Sequence, residues 1–72
     1  MSEPERAKLE TIQAPYGREL RLEELRYETG MRILRVTIRE GRRFTTLDLD
    51  PQRAREVAAA LGAWAGSAGA ES

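Results

Sequence analysis

Arg32-Ile33-Leu34-Arg35-Val36-Thr37-Ile38-Arg39-Glu40-Gly41-Arg42-Arg43-Phe44-Thr45-Thr46-Leu47-Asp48-Leu49-Asp50-Pro51 is the stretch that decides the fold of this chain. Its first half alternates Leu34, Val36 and Ile38 with Arg35, Thr37 and Arg39, the two-residue period of a strand with one apolar face. A strand is predicted from Met31 to Arg39. Glu40-Gly41 fits the centre of a two-residue hairpin loop, where Gly accepts a positive φ. The return strand then runs from Arg42 to Asp50. With this loop Arg39 faces Arg42, Thr37 faces Phe44 and Leu34 faces Leu47. Leu34, Val36, Leu47 and Leu49 fall on one side of the hairpin. Arg35, Thr37, Arg39, Phe44 and Thr46 fall on the other.

Asp50-Pro51 opens a helix, because Asp is a preferred N-cap and Pro a preferred first helical residue. Ala54, Val57, Ala58, Leu61 and Trp64 or Ala65 recur at the spacing of one helical face. The helix is predicted to run to about Ala65 and to stop at Gly66. About fifteen helical residues are as long as a seven-residue strand. The helix is therefore expected to lie over Leu34, Val36, Leu47 and Leu49.

Toward the N-terminus, Pro15-Tyr16-Gly17 and Glu28-Thr29-Gly30 read as turns. Leu9 to Ala14 reads as a short edge strand. Between the turns Leu20 and Leu22 share one parity, whereas Leu25 and Tyr27 share the other. One extra residue near Glu23-Glu24 would restore a common face, so a bulged strand is predicted there. The expected domain spans residues 9–65, with a flexible arm at 1–8 and a flexible tail at 66–72. The fold class is α+β: an antiparallel sheet of three to four strands, then one C-terminal helix packed across one face, in ββββα order.

Composition narrows the chemistry. The 72 residues include 12 Lys and Arg against 12 Asp and Glu, with no His and no Cys. Neither a near-neutral imidazole base nor a thiolate is available, and the commonest zinc ligands are missing. The hydroxyl residues form no nucleophile elbow or triad. Asp48 and Asp50 share strand parity, but Asp50 reads as a helix cap and Asp48 as a strand-end carboxylate near Arg32. No catalytic residue, metal ligand or cofactor site is predicted, and the expectation is a protein that is not an enzyme. The acidic start Met1-Ser2-Glu3-Pro4-Glu5 has no apolar core of a secretory signal, and no apolar run is long enough for a bilayer. A cytoplasmic location without membrane contact is expected.

The zero net charge is unevenly placed. Residues 32–43 carry five Arg (32, 35, 39, 42 and 43) and one Glu, a local +4. Arg35, Thr37, Arg39, Arg42, Arg43 and Phe44 are the candidate binding residues. Arg grips phosphates with a planar fork, and an aromatic on an open sheet stacks a base. The same residues equally describe a solvated strand face on which Arg pairs with neighbouring Glu. Apolar side chains left over from the core (Met31, Ile33, Phe44, Trp64 and Tyr27) suit a seam with another protein. So small a core also favours a homodimer.

Gly17-Arg18-Glu19-Leu20-Arg21-Leu22-Glu23-Glu24-Leu25-Arg26-Tyr27, then Leu34-Arg35-Val36-Thr37-Ile38-Arg39-Glu40, then Thr46-Leu47-Asp48-Leu49-Asp50-Pro51 leading into the helix, resembles the single-strand-binding domain of positive-cofactor-four-type (whirly-like) transcriptional coactivators. The resemblance covers about Gly17 to Trp64. It implies a homodimer whose curved strands cradle single-stranded DNA without catalysis, with Arg35, Arg39, Arg42, Arg43 and Phe44 as the contacts. A small bacterial family with the same strand-then-helix plan fits as well, and there the chain would be an accessory subunit that docks on another protein.

Overall fold

The computed structural model describes residues 3–70. Four strands, β1 (Glu5–Gln13), β2 (Arg18–Arg26), β3 (Arg32–Glu40) and β4 (Arg43–Leu49), are followed by one helix, α1 (Pro51–Ala70). The strands form an antiparallel meander in the order β1-β2-β3-β4. The ββββα order of an α+β protein is therefore present, with the sheet at four strands. β1 starts at Glu5, inside the segment expected to be a flexible arm, and α1 continues through Gly66 and Gly69 into the expected tail.

The strand alternation holds, and it sets the two faces. Ile12, Leu20, Leu22, Leu34, Val36, Ile38, Leu47 and Leu49 share one face through the paired positions Ile12–Leu20, Leu20–Ile38, Leu22–Val36, Val36–Leu47 and Leu34–Leu49. The β3–β4 register differs from the predicted one by two residues. Leu34 faces Leu49, Thr37 faces Thr46, and Arg39 faces Phe44. The loop is Gly41-Arg42 rather than Glu40-Gly41, and Gly41 takes φ +62° at its first position. A Gly-X loop needs a positive φ only there, whereas the predicted loop would force one on Glu40. A shift of two preserves parity, so each side chain keeps its predicted face.

The bulge lies in β1 instead of β2. Nine consecutive pairs join β2 to β3 without interruption, and the register slips between Lys8 and Glu10. Leu9 and Ile12 have opposite parity, and the extra residue brings Leu9 to the groove lined by Leu34 and Leu49. β2 stays regular, so Leu25 points to the face opposite Leu20 and Leu22, between Arg6 and Ile33. There it is 1% exposed, the one fully buried apolar side chain among the described residues. The predicted Pro15-Tyr16-Gly17 turn is a 3₁₀ turn in which Tyr16 itself is left-handed at φ 66°.

The helix is not packed across the sheet. Leu47, Leu61 and Trp64 are 57, 63 and 72% exposed, and the molecule measures 51 × 30 × 15 Å. A helix laid on a sheet adds a layer of about 10 Å, for which the short axis leaves little room. A twenty-residue helix of about 30 Å and a seven-residue strand of about 23 Å, set end to end, account for the long axis. The cause is local. Asp50 alone separates β4 from α1, fewer than the roughly two to six residues that usually turn a strand into a helix packed back on its sheet. Asp50 also caps the first turn, accepting the Arg53 backbone N–H at 2.7 Å.

Leu25 is thus the tightest packing site of the chain. Leu25→Ala is expected to cost about 2–5 kcal/mol, the usual range for a buried Leu. Urea unfolding followed by circular dichroism checks this, and a loss within error of zero would show that Leu25 holds no core.

Candidate functional site

Four of the six candidate residues meet on one face. Arg35, Thr37 and Arg39 alternate along β3, and Phe44 stands opposite Arg39 on β4. Arg42 and Arg43 lie apart from them, at the β3–β4 turn. Arg43 pairs with Glu40 in register and by parity belongs to the apolar side. Neither makes an ion pair with another described residue.

The charges of the face are mostly spent within the chain. Arg35 donates to both oxygens of Asp48, directly across the strands, at 2.8 and 3.0 Å. This two-point geometry occupies the fork that would otherwise grip a phosphate. Glu19 accepts from Arg21 at 2.5 Å and from Gln13 at 3.2 Å, and lies 3.8 Å from Arg39. Arg39 also donates to the Gly41 carbonyl at 3.2 Å. Asp48 therefore meets Arg35 rather than Arg32. Arg32 instead binds Glu24 at 2.6 and 2.9 Å, and Glu24 also accepts from Arg26.

Sequence inspection missed Arg21 and Asp48 as members of this face, whereas Glu19 is one of the neighbouring Glu expected to pair with its Arg residues. Arg21 lies 5.6 Å over the Phe44 ring, within cation–π range, although the whole of β3 runs between their strands. No spacing rule along the chain reveals that contact. The pairing of Arg35 with Asp48 needed the true register, since the predicted one set Thr46 opposite Arg35.

The opposite face is apolar and framed by charge. At one end the Arg18 guanidinium holds Glu40 at 2.7 Å, and at the other Glu24 holds Arg26 and Arg32. Between them lie the aliphatic rows of Leu20, Leu22, Val36, Ile38, Leu47 and Leu49. Val57, Leu61 and Trp64 on α1 follow helical spacing and are all exposed. No helix among the described residues is long and apolar enough to cross a membrane.

The ion pairs lower the carboxyl pKa values. Hydrogen bonds from Arg21 and then Gln13 hold Glu19 below its ordinary 4.5. Arg32 does the same for Glu24, and Arg35 holds Asp48 below 3.8. Because these pKa values are lower folded than unfolded, their contribution to stability is complete above the ordinary values. It is lost as pH falls through the lowered ones. The melting temperature is expected to be level near neutrality and to drop on acidification below about pH 4.5. Asp48→Asn should flatten part of that drop, and an identical acid profile for the variant would remove the assignment to this pair.

No curated protein and no solved structure matches the chain. A family model matches residues 3–67, which takes in all four strands and most of the helix, and the chain belongs to that family of unknown function, DUF6967.

Proposed function

We propose that the protein is a non-catalytic accessory module that works by docking on protein. The observation that carries this reading is the contrast between its two faces. Arg35 spends its fork on Asp48 and Arg39 lies beside Glu19, whereas Leu47 on the apolar face and Val57, Leu61 and Trp64 on the helix stripe stay exposed. An apolar centre inside a charged frame is the anatomy of a protein interface. Affinity capture from the native host tests it. Wild-type chain should retain protein that Leu47→Arg fails to retain, because the new charge sits on the apolar face at its most exposed aliphatic position on β4. Repeated recovery of nucleic acid alone would overturn the reading.

A second reading keeps one specific support. Arg42 and Arg43 make no ion pair with another described residue at the hairpin end, and Arg21 stacks over Phe44 on the Arg face. As a single-stranded nucleic-acid module, the chain would bind through these groups and weaken steeply with salt. Titration of a labelled oligonucleotide in about 50 mM salt is expected to show no binding at low micromolar protein. Salt-sensitive binding that Arg42→Ala and Arg43→Ala abolish would restore this reading in place of the first.

A further inference from the structure

The exposed area of the chain is large enough to bear on what covers its apolar face. A compact monomer of 8.1 kDa exposes about 4,500 Å² by the scaling of surface with mass. This chain exposes 6117 Å², an excess of roughly 1,600 Å² over that scaling. The chain's own helix cannot remove the excess, because α1 leaves the sheet at the end of β4. Two copies that each hid this much would bury about 3,200 Å² in all, within the range of about 2,000–5,000 Å² for obligate homodimers.

The shapes agree. Four strands at about 4.8 Å spacing present a face some 19 Å wide, and seven residues make it about 23 Å long. A helix about 10 Å across and 30 Å long crosses such a face and leaves room along one edge. The helix carries its large apolar residues Val57, Leu61 and Trp64 on one side, as required to pack on a sheet. A chain that holds both an uncovered sheet and an uncovered helix is complementary to itself, the condition for a closed two-fold pair. The frame of ion pairs, Arg18–Glu40 and Glu24–Arg32, would then form the wet rim of the contact.

We propose that a second copy of this chain covers the apolar sheet face, each α1 lying across the partner's β2, β3 and β4. The proposal rests on the protein-docking reading and names the partner of that surface. In the pair, the face bearing Arg35, Thr37, Arg39 and Phe44 stays outward.

The test uses the wild-type chain first. Light scattering at tens of micromolar should give twice 8.1 kDa. Trp64 is the only Trp, so its fluorescence reports the helix stripe alone. Its emission should be blue-shifted in the pair and move red on dilution as mass falls. Leu61→Lys should weaken association by at least an order of magnitude, on the order expected for a charge placed in an apolar interface. The chain has no Cys, so Trp64→Cys and Val36→Cys each carry a single thiol. Mixed and treated with a short thiol cross-linker, they should give a covalent pair joining the two variants.

The outcomes separate the two readings. A monomer with water-exposed Trp64 that binds an apolar dye overturns the second-copy proposal and leaves docking on a foreign protein standing. A monomer with shielded Trp64 and no dye binding overturns both, since the helix would then lie on its own sheet. A dimer cross-linked through Trp64→Cys pairs alone overturns the crossing of helix on partner sheet. The mass and Trp64 measurements need no variant, so an unfolded mutant does not weaken the test.

Discussion

The uninterrupted alternation of β3 governs the whole molecule. This strand pairs on both sides, with β2 over nine consecutive positions and with β4 over seven. Leu34, Val36 and Ile38 therefore become the middle row of the apolar face, and Arg35, Thr37 and Arg39 the middle row of the charged one. A slip of one residue would exchange the two rows, which makes such a slip costly. The hairpin tolerated a slip of two between the predicted and actual registers, because an even shift leaves every side chain on its own side.

Charge follows the same logic. Equal numbers of basic and acidic residues become local pairing across strands: Arg35 with Asp48, Arg18 with Glu40, Glu24 with Arg32. The five Arg of residues 32–43 look like a basic patch along the chain. In the sheet, three of them (32, 35 and 39) lie beside carboxylates brought from β2 or β4. Exposed pairs of this kind add little stability each. Their larger effect is to occupy guanidinium groups, leaving Arg42 and Arg43 as the members of the cluster with no ion pair among the described residues.

Much of the fold could be read along the chain, because it depends on near neighbours. The alternation of β3 and β4, the turn at Glu28-Thr29-Gly30 and the Asp50-Pro51 helix start all involve residues within a few positions of one another. The bulge was harder to place. Both β1 and β2 carry a parity break, Leu9 against Ile12 and Leu22 against Leu25, and only the pairing between strands shows which break is absorbed by an extra residue. β1 takes the bulge as an edge strand with one partner. β2, paired on both sides, stays regular and sends Leu25 to the other face. Of the candidate residues, Arg35, Thr37, Arg39 and Phe44 were correctly assigned to one face by parity alone, whereas their partners Glu19, Arg21 and Asp48 come from other strands.

Local residue chemistry was enough to establish the order of elements, the composition of each face and the missing imidazole and thiol groups, since each depends on identity and short spacing. Three-dimensional packing alone decided where the helix goes. Its apolar stripe shows that it needs a surface, and nothing in that stripe says which one. The one-residue link at Asp50 carries α1 past the end of the sheet, so the surface nearest in sequence is out of its reach.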